Sequence, residues 1–417
     1  MQPDSRSYGI KQNLRFCVLV FSLLMIVSPV TSSQAGHPDH NQLNLKDTGE
    51  NIENTILLNT SEANYNVIKE ITGRKVNVKA SLLKINGETL IPEQIRTHGQ
   101  STLNLRRKSY SFKLESKASF RFGKKDRSLS KFLILGLSMD RNYINSRLAF
   151  GMMEEINLFN LFYTFCELKI NDQTEGIGLV LERPEDWAID IKDSPLIIRR
   201  GYNHSINKIK ISRITNTEDA KKYKDYYKQI YRSLKQYSGE KLYKVLSDYL
   251  DVEEYMKWLS FNYFVRNGDY TDEVWLYIDP DEKKFRVIPW DYDDIFAINP
   301  HEGATNRSEV ENRFIFSVED ILDKKIATDP YLFNIYLIRF RKMLEKLSPD
   351  VIKEVFENTY SELYPYFAND EIIKMSRFDA YKETNLDKMT NKILSLYEYL
   401  IGLRERYLKS LESRITE

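Results

Sequence analysis

The sequence predicts a mixed α+β protein, strand-rich in its first half and helical in its second. Three observations carry this. Between Val76 and Leu181, short apolar runs alternate and are broken by turn residues. Beyond Glu218, apolar residues recur at three- and four-residue steps. Between the helical stretches lies Trp258–Phe296, which reads as the end of a helix, a loop, a β-hairpin and a second, acidic loop. With 417 residues the chain is long enough for two lobes or domains.

In the first half, Val76–Leu83 alternates as a strand, and Ile85-Asn86-Gly87-Glu88 turns it. Glu93–Gly99 starts another strand, followed by Ser101-Thr102 and then Arg106–Leu114. There Tyr110, Phe112 and Leu114 share one face, and Ser109, Ser111 and Lys113 the other. A glycine with small hydroxyl residues between strands lets backbone N–H groups approach phosphate oxygens. A lysine on a neighbouring strand can reach the same anion. The other reading of such a basic strand is a solvated edge. Asn145–Ile156 reads as a helix with Leu148, Met152 and Ile156 on one stripe. Thr164–Ile170 and Gly176–Leu181 make a hairpin around Asn171–Thr174. Glu185–Lys210 is mixed and mostly loop-like, with a strand over Ile197–Tyr202.

In the second half, helices are expected over Glu218–Tyr237 and Glu240–Leu250, and Asp251 is the N-cap of the next. Asn267-Gly268-Asp269 ends that helix. Val274–Ile278 and Phe285–Ile288 pair through Asp279–Lys284, and Pro289-Trp290 closes the second strand before Asp291, Asp293 and Asp294. Hairpin geometry brings Asp269 and Asp291 to one end, where gathered carboxylates repel unless a cation joins them. Mg²⁺ suits carboxylates plus phosphate oxygens. The alternative is a solvated acidic turn, but Trp275, Trp290, Tyr292 and Phe296 around the acids argue for a partly enclosed site. Asn299–Arg313 reads as a polar substrate or activation loop, and three helices follow over Tyr331–Leu347, Asp350–Tyr366 and Asn385–Leu411.

Composition sets limits on function. A net charge of +1 argues against a nucleic-acid binder, which needs a basic excess. The first residues read as a secretory signal: Arg6, Lys11 and Arg15, then apolar Phe16–Val30, then Ser33-Gln34-Ala35. The apolar run is shorter than the roughly 20 residues that span a bilayer, so removal is expected rather than anchoring. Cys166 is then the one cysteine left and reads as a core residue, and the five histidines form no zinc pattern.

Several of these segments together resemble the spore coat protein H (CotH) kinases, an atypical, secreted protein-kinase-like family. The resemblance rests on IRTHGQSTLNLRRKSYSFKLE, on Leu133–Leu137, on CELKINDQTEGIGLVLERPEDW, and on Asn267-Gly268-Asp269, VWLY and Pro289-Trp290-Asp291-Tyr292-Asp293. It implies an atypical protein-kinase-like two-lobed fold: a β-rich N-lobe over 71–184, and a mainly helical C-lobe over 185–417 with an inserted β-hairpin carrying the metal site. A signal peptide over 1–35 and a flexible segment over 36–70 precede them.

The resemblance implies ATP with Mg²⁺ (or Mn²⁺) as cofactors and transfer of the γ-phosphate to Ser or Thr of an exported or surface protein. Gly99, Ser101 and Thr102 would lie over the phosphates, with Lys113 as the phosphate lysine; Arg106, Arg107 and Lys108 would be lesser contributors. Glu182 would lie at the hinge that grips the adenine. Asp269 would accept the substrate proton, and Asp291 and Asp293 would hold metal. Glu154 or Glu155 would pair with Lys113. The chain departs from the pattern in one place: Tyr270–Val274 lacks the expected asparagine. Either Asp272 or Glu273 holds metal instead, or activity is reduced and the fold is a structural scaffold in a coat or at the cell surface. A secreted or cell-envelope location is expected, with no nucleic-acid partner and no stable membrane span.

Overall fold

The protein builds two sheets and a helical layer. In this computed structural model the described residues are 43–46, 49, 51–70, 73–99, 101–105, 107–122, 125–138, 140, 143–201, 204–268, 270, 274–296, 314–316, 319–376 and 384–415. The signal peptide expected over 1–35 and the loop expected over Asn299–Arg313 lie outside them.

The larger sheet uses β1 (Thr55–Thr60), β2 (Ala80–Ile85), β3 (Glu88–Thr89), β4 (Pro92–His98), β5 (Ser109–Phe122), β6 (Lys125–Leu135), β7 (Tyr163–Ile170) and β8 (Gln173–Glu182). Their order is β3-β2-β1-β7-β8-β6-β5-β4. Only β1 and β7 pair in parallel within it; the other neighbours are antiparallel. Alternation on β5 sends Tyr110, Phe112 and Leu114 into one core with Phe120 and Phe132. Phe132 stacks on Phe112 at 4.9 Å and meets Phe120 edge-on at 5.0 Å. Each such ring pair adds about 1 kcal/mol beyond its burial. Cys166 lies in the same core, and burial pushes its thiol up, so it is an inert packing residue.

The flexible segment expected over 36–70 gives way to structure at its end. Helix α1 (Glu62–Lys69), capped by the Ser61 hydroxyl, follows β1, whose Ile56 and Leu58 are fully buried. The polar composition there hides two apolar residues that gain their partners only when β2 and β7 flank them.

Between β6 and β7 the chain forms α2 (Asn145–Glu155). After β8 the chain turns through Pro184–Asp186 and a π-helical turn at Trp187–Ile191. Within the mostly loop-like stretch expected at Glu185–Lys210, the strand expected over Ile197–Tyr202 appears as β9 (Leu196–Arg200), and β10 (Ile206–Ile211) forms where a loop was expected. These join β11 (Trp275–Ile278) and β12 (Phe285–Ile288) in a second sheet of order β10-β9-β11-β12. Lys208 and Lys210 made β10 read as polar loop, but edge strands tolerate charge.

The helices are α3 (Thr217–Gln236), α4 (Gly239–Ser247), α5 (Val252–Phe264), α6 (Ile321–Thr328), α7 (Pro330–Lys346), α8 (Pro349–Phe367), α9 (Asp370–Ser376) and α10 (Leu386–Glu412). As expected, Asp251 caps α5, its carboxylate accepting the Glu254 N–H at 2.9 Å. Arg200, 1% exposed, ties β9 to α6 through Asp320 and Asp323 at 3.4 and 3.5 Å and to the Tyr255 hydroxyl at 2.8 Å. Among the described residues no helix is long and apolar enough to cross a membrane.

Candidate active site

A cavity of about 650 Å³ opens where the larger sheet meets the second sheet and α2. Its roof comes from the β4–β5 connection. β4 runs into Gly99, whose φ of +109° only glycine adopts at ease. A Cβ there would also run into the Thr102 hydroxyl, so the turn has no room for a side chain. A short 3-10 turn over Ser101–Asn104 follows, and β5 returns with His98 opposite Ser109 and Arg96 opposite Ser111. Arg96, His98, Gly99, Thr102, Ser109 and Ser111 all line the cavity. Leu133 and Leu135 of β6, Leu181 of β8 and Phe150 of α2 add an apolar wall.

The floor is the segment after β12. Trp290, Asp291, Tyr292, Asp293 and Asp294 line it, and Trp275 at the start of β11 lies beside it. Asparagine and aspartate contacts hold this segment in place. Asn267 donates its amide to the Asp291 carbonyl at 3.1 Å and, at the same distance, to Asn262. Asn145, the first residue of α2, donates to the Asp293 carbonyl at 2.9 Å. Asp140, 2% exposed, accepts the Asn145 backbone N–H at 2.6 Å. Asp291 itself has φ +61°, a left-handed conformation that aspartate tolerates better than most residues.

Burial pushes the Asp293 carboxyl well up, reinforced by the charge and hydrogen bond of Asp291 and by the charges of Asp140 and Asp294. No cation is among these influences. Two enclosed carboxylates this close share a proton or take up a cation. The donor set therefore fits a hard divalent ion, although among the described residues no three acidic, histidine or cysteine side chains gather closely enough to hold one unaided. Asp291 and Asp293 would be its protein ligands, with water or phosphate oxygens completing the shell.

The remaining expected residues divide. Asp269 and Glu273, with Asp272, lie outside the described residues, as do Gln100 and Arg106. So does the side chain of Ser101, whose backbone forms part of the 3-10 turn. Lys113 shares the Ser109 and Ser111 face of β5 but does not line the cavity. It sits two positions further along the strand, pairs with Glu93 across β4, and keeps 47% of its side chain exposed. A register shift in β5 follows directly after it. Its partner is thus Glu93 rather than Glu154 or Glu155 of α2; Glu154 instead meets the Tyr163 hydroxyl at 3.5 Å.

Glu182 is buried against the other side of β8, with Arg127 at 2.9 Å and the Phe162 N–H at 3.3 Å. Its neighbours Leu181 and Arg183 take the cavity side, because successive strand residues face opposite ways. Arg107 is turned away as well: it bonds the Gly136 and Ile177 carbonyls and the Tyr143 hydroxyl. Lys108 donates to the Leu103 carbonyl.

Sequence reasoning missed the six basic lining residues Lys75, Arg96, His98, Arg183, Arg199 and Lys208. For Arg96 a signal was available, since β4 alternation places it with His98. Lys75, Arg199 and Lys208 come from segments with no local chemical pattern.

Fold and cleft together define a mixed α+β protein whose two sheets enclose a polar cavity with carboxylates on its floor. The family model described as CotH kinase protein matches residues 95–400, so the chain belongs to the CotH kinase protein family. A curated relative is the inner spore coat protein H of Bacillus subtilis (strain 168), 20% identical over 349 residues, which cover 79% of this chain and 89% of that protein.

Proposed function

We propose that this protein is a secreted, ATP- and Mg²⁺-dependent kinase that transfers a γ-phosphate to Ser or Thr of an exported or coat protein. The observation that supports it most is that one cavity holds both the glycine turn with Thr102, Ser109 and Ser111 and the carboxylates after β12. β4 to β6, then α2, then β7 and β8 come before β9, β10, three helices and the β11–β12 hairpin, an order that suits the two-lobed kinase-like reading with that hairpin as its metal-site hairpin.

In this reading the backbone around Gly99 binds phosphate, and Leu133, Leu135 and Leu181 exclude water from the base. Asp291 and Asp293 hold the metal, which when bound neutralises phosphate charge. Asp269 accepts the substrate hydroxyl proton. The relative's name and the N-terminal signal favour a coat or envelope location.

The test is label transfer from γ-labelled ATP with Mg²⁺ or Mn²⁺, beside nucleotide-dependent thermal stabilisation. Wild type is expected to show both, and Asp291→Ala to lose transfer. Transfer undiminished in Asp291→Ala, or no stabilisation by any nucleotide, sinks the reading. A second reading, a kinase-fold scaffold of low activity, is favoured by one observation: Lys113 is engaged by Glu93 outside the cavity.

A further inference from the structure

The cavity is charge-segregated. Its rim carries Lys75, Arg96, Arg183, Arg199 and Lys208, and among the described residues that line the rim the one carboxylate is Glu185. Glu185 is shared, lying 3.1 Å from Lys208 and 3.3 Å from Arg183, and Arg183 also meets Asp186 at 2.9 Å. Arg199 and Lys208 stand over the Trp275 ring at 5.7 and 4.9 Å. Lys75 and Arg96 are exposed and make no ion pair among the described residues. The three lining aspartates lie further in, less exposed than Lys75, Arg96 and Lys208.

The rim cations act on one another: Lys75 is held below its ordinary value by partial burial and then by the charges of Arg96 and Lys208, with Glu185 opposing. Crowded cations with too few counter-charges raise the energy of the empty site, and an anion relieves it.

In the kinase reading the phosphates are taken by the backbone around Gly99 and the metal of the aspartates, which leaves the exposed rim cations for a different anion. Its exposed position, with Lys208 on the edge strand β10, suits a chain that crosses the mouth from solvent. Duplex nucleic acid is a poor fit, because the protein's net charge is only +1 and the cations lie at a cavity mouth rather than along a broad face.

We propose that this rim recognises an acidic stretch of the protein substrate, whose carboxylates pair with Lys75, Arg96, Arg183 and Lys208 while the acceptor hydroxyl reaches inward. The proposal rests on the kinase reading and names its substrate class: Ser or Thr flanked by Asp or Glu.

The test uses the full chain and two fluorescent peptides of Ser and Gly, one carrying several Glu and the other Lys at the same positions. Binding is followed by anisotropy at several salt concentrations, with and without Mg–ATP, and nucleotide stabilisation is measured separately. The Glu peptide is expected to bind at least about tenfold tighter than the Lys peptide and to weaken steeply with salt. Lys75→Glu, and independently Lys208→Glu, should each weaken it about tenfold while stabilisation by Mg–ATP persists.

Equal binding of the two peptides, or no loss in either charge-reversal protein, overturns the proposal. Competitive displacement of the Glu peptide by ATP also overturns it, assigning the rim to nucleotide phosphates. If the Glu peptide binds as expected but no nucleotide stabilises the protein, the kinase reading fails and the acidic-peptide site stands.

Discussion

The buried pair Arg147–Glu362 fixes α2 against α8, and its two halves should not be equally costly to remove. Arg147 donates through Nε and Nη2 to the two carboxylate oxygens, both at 2.7 Å. Its guanidinium also stands over the rings of Tyr163 at 4.9 Å and Phe122 at 5.4 Å. Burial disfavours that charge, but the Glu362 carboxylate more than offsets it, and the group stays charged.

Each charge-assisted hydrogen bond contributes about 1.5–3 kcal/mol. What survives each substitution decides the difference. Arg147→Met leaves a carboxylate whose side chain is 24% exposed, so it can rehydrate, and the methionine keeps contact with both rings. The expected loss is about 2 kcal/mol. Glu362→Gln leaves a guanidinium 4% exposed, which cannot rehydrate and now meets an amide that offers it N–H as well as oxygen. The expected loss is about 3–4 kcal/mol.

The double substitution should cost less than Glu362→Gln alone, since no buried charge remains. Denaturant unfolding of the four proteins measures this, with an unchanged m-value confirming the comparison. If Arg147→Met proved the costlier single change, the assignment of the burial penalty to the guanidinium would be refuted. Because α2 also presents Ser146 and Phe150 to the cavity, the same variants should raise KM for ATP under the proposed kinase reading.

Two further outcomes follow from the same region and from the rim. Gly151→Ala should destabilise by about 1–2 kcal/mol even though alanine gains about 1 kcal/mol in helix propensity. The new Cβ would lie 2.6 Å from Arg147 Nη1, which Glu362 pins, and 2.9 Å from Val355; unfolding at a higher denaturant concentration than wild type would contradict the packing argument. His98 should titrate near pH 4 by NMR, because burial first, then Lys75, Arg183 and Arg96, disfavour its cation, with Glu185 opposing. Its folded value is depressed, so its contribution to stability is present above the ordinary histidine value and is lost as pH falls from about 6.5 toward 4. A midpoint near 6.5 in the free protein would show that the rim exerts no such field, whereas Arg96→Ala should move the midpoint upward.

Much of the helical half was legible because its signal is local. Expected helices at Glu218–Tyr237, Tyr331–Leu347, Asp350–Tyr366 and Asn385–Leu411 fall within about one residue of those found, since a 3.6-residue repeat with caps is written in neighbouring positions. The β11–β12 hairpin was legible for the same reason. The short helix α9 was not, as seven residues carry less than two full repeats. Strand β1 was not either, because its two buried residues depend on β7, more than a hundred positions away.

By itself, then, the sequence determined the mixed α+β class, the order of most of the strands and helices, and the acidic segment Asp291–Asp294 behind its hairpin. Tertiary structure alone decided what surrounds that segment. It drew Lys75, Arg96, Arg183, Arg199 and Lys208 from five separate segments to one cavity mouth, and it left Lys113 with Glu93 and Glu182 with Arg127. The physical reason is that local periodicity settles which face of an element a residue takes, whereas the partner it meets there depends on strand register and sheet order, which are set by contacts between distant parts of the chain.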